Sequence, residues 1–195
     1  MLLSDLDIEF CLRKAEEIAE LYRQIVLNSA ATRRSVDELR RLCTEYLAKN
    51  VKVLEIADEP RAIRGYYVRY PDHYDIVLYA GMDAAWKRFV LCKELFHVIL
   101  DEDAKYRTIS IYEHVAEVMT TFPVHDSTPG PAATSEMMAE IAAMEFLFPC
   151  RSRIKLLKGP AIDFDAIAEM YQIPQALVEE YLSESYMKNL SGFVR

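Results

Sequence analysis

The segment from Ala84 to about Leu100 constrains this chain more than any other, because it has helical spacing and almost no polar face. Trp86, Phe89, Val90, Leu91, Leu95, Phe96, Val98, Ile99 and Leu100 surround its axis, and Asp83 stands where an N-cap belongs. A helix apolar on every side runs through the middle of a fold rather than along its surface. Lys93, Glu94 and His97, nearly its only polar groups, therefore need partners, since buried ionisable groups are costly unless paired, hydrogen-bonded or bound to a metal. Lys93 and His97 are four residues apart and share one face, with Glu94 a step round and Asp101 a turn further on.

The flanking pattern predicts an α+β fold. Ser4-Asp5-Leu6-Asp7 has the form of a capping box opening an amphipathic helix that ends near Asn28, and Ser35 caps a second over Val36 to Lys49. From Val51 the apolar period changes to two: Val51–Ile56, Gly65–Tyr70 and Tyr74–Tyr79 read as strands, the last two joined through Pro71-Asp72-His73. Ser110 to Phe122 reads as a further helix, followed by a Pro/Gly/Ser-rich loop to Ala133. Another helix then begins at Thr134 or Ser135 and stops at Pro149. The tail, 163–189, reads as a pair of short helices broken at Ile173-Pro174. The expectation is one domain over 1–195, with that pair packed upon it.

A net charge of −8 repels a phosphate backbone, and the helical tail carries Asp163, Asp165, Glu169, Glu179, Glu180 and Glu184, so direct nucleic-acid binding is not expected. Cys11, Cys43, Cys92 and Cys150 show no CxxC spacing, which fits a reducing compartment better than a disulfide framework or zinc ribbon. Charges throughout residues 1–28 and the lack of a spanning apolar run point to a cytoplasmic protein without membrane contact. No feature sets an oligomeric state. Tyr66, Tyr67, Tyr70, Tyr74 and Tyr79 suit either an aromatic recognition face or half-buried sheet packing.

Zincins place two ligand histidines at the i, i+4 spacing of Lys93 and His97, with the intervening glutamate as general base. Here the first position holds an ammonium, which has no lone pair for a metal. The run Lys87-Arg88-Phe89-Val90-Leu91-Cys92-Lys93-Glu94-Leu95-Phe96-His97 resembles the "RFTLAHELGH" helix of the ImmA/IrrE metallo-endopeptidase family. The helix Glu136-Met137-Met138-Ala139-Glu140 to Pro149 is similar to that family's second motif, ExxANxFAxxLLMP, in the same register.

The resemblance covers roughly residues 15–185. It implies a zincin-like metallopeptidase fold, a small mostly antiparallel sheet against a helical bundle. It also implies His97 and Glu136 as zinc ligands and Glu94 as the catalytic base. Three positions depart from the family pattern: Lys93 for the first ligand, Phe96 for the glycine of HELGH, and Glu140 for an asparagine. A site left with one histidine and one carboxylate loses most of its zinc affinity. The Lys93 ammonium is expected near the vacated metal position, neutralising Glu136, Glu94 or Glu140.

His125, then His114, are the histidines best placed to supply another ligand. Asp101 is either an extra oxygen ligand or, as preferred, an aspartate at a helix end on the surface. Family members act in bacteria, phages and mobile elements on helix-turn-helix repressors. The resemblance thus implies a degenerate metallopeptidase that binds such a repressor-type partner. The alternatives are an active metal-dependent endopeptidase with an atypical ligand set, and a phage or mobile-element interaction protein with no enzymatic role.

Overall fold

Strand β3 (His73–Tyr79) is the middle of a three-stranded mixed sheet in a computed structural model that describes residues 3–26, 33–57, 64–101, 130–159 and 161–193. On one side β1 (Asn50–Ile56) runs parallel to it, pairing Asn50 with His73 and Ile56 with Tyr79. On the other side β2 (Gly65–Arg69) is antiparallel, pairing Gly65 with Leu78 and Arg69 with Tyr74. The sheet expected as mostly antiparallel is therefore half parallel. Period-two patterning identifies strands but not their neighbours, and β1 pairs with β3 only after the chain has formed β2 on the far edge of the sheet.

The α+β class stands, with eight helices among the described residues. Helix α1 (Asp5–Ile25) starts as predicted, Ser4 Oγ accepting from the Asp7 N–H, and α2 (Val36–Leu47) ends at Ala48, whose left-handed backbone closes the last turn. The central α3 (Ala84–Leu100) is capped by Asp83, which accepts from Trp86 N at 2.8 Å. Its residues from Glu94 to Leu100 are all buried. Gly65 lets β2 approach it: a Cβ there would come within 2.6 Å of Val90 Cγ1 and 3.0 Å of Val77 O.

Helix α4 (Pro131–Leu147) packs on both α1 and α3 and completes the core. It begins earlier than Thr134, because Pro131 at its first position presets the helical φ and no side-chain cap is needed. Pro149 ends it but a further helix, α5 (Cys150–Leu157), follows at once. Its opening N–H is capped from behind: Glu145 of α4 takes Cys150 N on both carboxylate oxygens at 3.0 Å. Glu145 also accepts from Arg153 Nη2 at 2.6 Å, and the Arg153 guanidinium, fully buried, stacks between Phe148 and Tyr181 with centroid distances of 5.9 and 5.5 Å.

The tail contains three helices rather than two: α6 (Phe164–Tyr171), α7 (Gln175–Tyr181) and α8 (Glu184–Ser191). The break at Ile173-Pro174 falls where expected, after a left-handed Gln172, and Ser183 caps the additional helix. The tyrosines do not form one face: Tyr74 and Tyr79 are buried, Tyr67 is bonded internally, and Tyr70 stacks on His73 at 4.3 Å. The predicted helix over 110–122, the loop before Gly130, and His114 and His125 lie outside the described residues. No helix among the described residues is long and apolar enough to cross a membrane.

Candidate functional site

Helices α3 and α4 bring the motif residues together. Lys93, Glu94 and His97 come from the middle of α3 and Glu136 from the first turns of α4. Lys93 Nζ donates to Glu136 Oε2 at 2.6 Å and lies 3.4 Å from Glu94 Oε1. His97 Nε2 faces the other oxygen of the same carboxylate, 3.1 Å from Glu136 Oε1. Glu94 is 2% exposed, and its Oε1 has no hydrogen-bond partner among the described residues. The carboxylate of Glu136 is thus held between an ammonium and an imidazole, with a second carboxylate behind the ammonium.

The electrostatics keep Lys93 charged. Burial works against its ammonium, but the carboxylates of Glu94, Glu136 and Glu140 outweigh that cost and hold its pKa above the ordinary lysine value. Burial likewise opposes a charge on His97, and Glu136 and Glu94 more than compensate, raising it. Burial raises Glu140 against the pull of Lys93; Tyr181 OH donates to Glu140 Oε1 at 3.1 Å. A cleft of about 440 Å³ opens beside these groups, lined by Glu136, Met137, Glu140, Tyr181 and Tyr186 among others.

Behind His97 runs a chain of hydrogen bonds that sequence reasoning did not assemble. Ser135 Oγ donates to Asp101 Oδ1 at 2.9 Å, and Tyr67 OH donates to Asp101 Oδ2. Arg69 Nη2 donates to the Asp101 carbonyl at 2.9 Å. Since the one hydroxyl proton of Ser135 is committed to Asp101, the 3.1 Å contact between His97 Nδ1 and Ser135 Oγ has Nδ1–H as its donor. His97 is thereby oriented with Nε2 towards Glu136. The Tyr67 ring stacks on the imidazole at 6.0 Å.

Asp101 is therefore not the surface aspartate expected: it is fully buried. Nor does it join the converging donors, because it lies on the Nδ1 side of His97, 4.0 Å away. Its one visible signal was its position a turn beyond His97. Ser135 adjoins Glu136 in sequence, but only the fold links it to Asp101.

Two donors, His97 Nε2 and Glu136, converge, and the third corner is an ammonium. Among the described residues no group of three His, Cys, Asp or Glu side chains could hold a metal ion. One imidazole, one carboxylate and a protonated lysine do not fit a three-ligand zinc centre. No protein-family model matches the chain, and no curated protein matches it either.

Proposed function

We propose that this chain is a disarmed zincin-like protein of the ImmA/IrrE type, in which a lysine does the electrostatic work of the metal, and that it acts by binding a protein partner. The observation that carries this reading is the 2.6 Å pair between Lys93 and Glu136, at the position and spacing where the resembled family has its first and third ligands. The support behind His97 favours the same reading. Metal-binding histidines characteristically donate their far ring N–H to an oxygen that is itself held, and Nδ1–Ser135–Asp101–Tyr67 is such an arrangement. The ligand-orienting shell is kept while the charge at the centre is supplied by the chain.

By the resemblance, the partner is a helix-turn-helix repressor-type protein in a bacterial or phage regulatory circuit, held without being cut. The test is elemental analysis of the protein purified without chelator, alongside Lys93→His, with both incubated against a purified helix-turn-helix repressor domain. Zinc absent from the parent and near-stoichiometric in Lys93→His, with the repressor bound intact by the parent, supports the reading. Stoichiometric zinc in the parent and chelator-sensitive cleavage abolished by Glu94→Gln overturns it in favour of an active peptidase.

A further inference from the structure

On the side of the sheet edge where α2 begins, a pocket of about 650 Å³ is lined by five cationic side chains, Arg33, Arg34, Arg40, Lys87 and Arg88. In a chain of net charge −8 this concentration is unexpected. Only two carboxylates, Asp37 and Glu55, share the lining, and Glu55 is already paired with Lys87 at 2.8 Å. The anchors of the guanidiniums are neutral. Arg34 Nη1 donates to Phe146 O at 2.8 Å and Arg88 Nη2 to Arg34 O at 2.7 Å. Arg40 Nη1 reaches Val51 O at 3.5 Å, and Arg88 Nε is buried with no hydrogen-bond partner among the described residues.

Backbone carbonyls fix Arg34 and Arg88 in place, and hold Arg40 only loosely, but cancel none of their charge. The opening turn of the 12-residue α2, behind Ser35, adds the positive end of a helix dipole, offset in part by Asp37 and Glu38 in the same turn. Burial, and for Arg88 the nearby Arg33, push the pKa values of Arg34 and Arg88 down, so an added negative charge would stabilise both.

We propose that this pocket binds a small phosphorylated molecule, with its phosphoryl oxygens taken by Arg33 and Arg40 about the start of α2 and by Arg88 of α3. Planar guanidiniums match phosphoryl oxygens in pairs. A concave volume of this size suits a small ligand rather than a duplex or a protein surface. The site shares no residue with the Lys93–Glu136 centre, so it stands whether or not that centre is a disarmed peptidase site.

Calorimetric titration of the full chain with sodium pyrophosphate and with ADP tests the proposal. Arg33→Ala/Arg40→Ala is the main variant, because neither side chain is anchored in the core as Arg34 and Arg88 are. Arg33→Glu is a second, changing one exposed position. The expected result is saturable one-to-one binding that weakens at least roughly tenfold in each variant, with the melting temperature of the free protein unchanged. Tighter binding of ADP than of pyrophosphate assigns the rest of the pocket to an organic group; equal binding assigns the site to the phosphoryl groups alone. No saturable binding of either probe, or equal affinity in parent and variants, overturns it.

Discussion

The Lys93 ammonium and the Glu136 carboxylate, 2.6 Å apart, join the middle of α3 to the first turns of α4. Their side chains are 16% and 22% exposed, so water screens the pair only weakly. Lys93→Met removes the ammonium from between Glu136 and Glu94 and leaves only His97 to offset them. The expected cost is about 3 kcal/mol, read from urea unfolding. An unchanged midpoint would mean that the ammonium compensates nothing.

Asp101 is buried and accepts from Tyr67 and Ser135 at once, so Asp101→Ala strands two donors. A loss of about 2–3 kcal/mol is expected, against about 1 kcal/mol for Tyr67→Phe, which removes one bond and leaves the ring stacked. Because the two residues touch, the double variant should cost less than the sum by more than about 0.5 kcal/mol. Strict additivity in a denaturation cycle would disprove the coupling.

On the surface, Glu17 accepts from Lys14 at 2.8 Å and from Tyr46 OH at 2.9 Å. The bond from Lys14 outweighs the cost of partial burial, and together with Tyr46 holds the carboxyl below its ordinary value of 4.5. A lowered folded value means that the contribution is complete above 4.5 and is lost as pH falls through the folded value. Glu17→Gln should thus lower stability slightly at pH 6, by no more than about 0.5 kcal/mol because solvent screens the trio. The difference should shrink on acidification below the ordinary value and vanish once the folded carboxyl is protonated. A difference that grows on acidification would reverse the assigned sign.

All four cysteines are free thiols and buried. Burial pushes the Cys11 and Cys43 thiols up to about 12, and Cys92 higher still. Thiolate is the reactive form, so a thiol-specific chromogenic reagent at pH 8 should label none of the four in the folded protein and all of them in denaturant. Rapid labelling of one thiol under native conditions would contradict its burial.

What the sequence revealed was whatever local chemistry decides. Ser4, Ser35 and Asp83 cap helices because a short oxygen-bearing side chain precedes an apolar period, and that signal is complete within a few residues. The i, i+4 spacing alone likewise puts Lys93 and His97 on one helix face. Hidden from it was everything assembled from distant segments. The parallel partner of β1, the burial of Asp101 between Tyr67 and Ser135, and the capping of α5 by Glu145 each need residues whose contact is a product of the fold. The arginine pocket was invisible for the same reason, since Arg33 and Arg88 are remote in sequence and meet only when α2 docks beside α3.

Arg153 gives the terminal helices a meaning that their short lengths conceal. Its guanidinium belongs to α5, its counter-charge to α4 and one of its two aromatic walls to α7. A chain shortened before Tyr181 would keep the cation and lose one of its two aromatic walls, exposing a buried guanidinium beside Phe148 at the end of the helix that carries Glu136. The terminal helices therefore back α4 at two levels at once, because the same Tyr181 that walls Arg153 also donates to Glu140, one turn from Glu136.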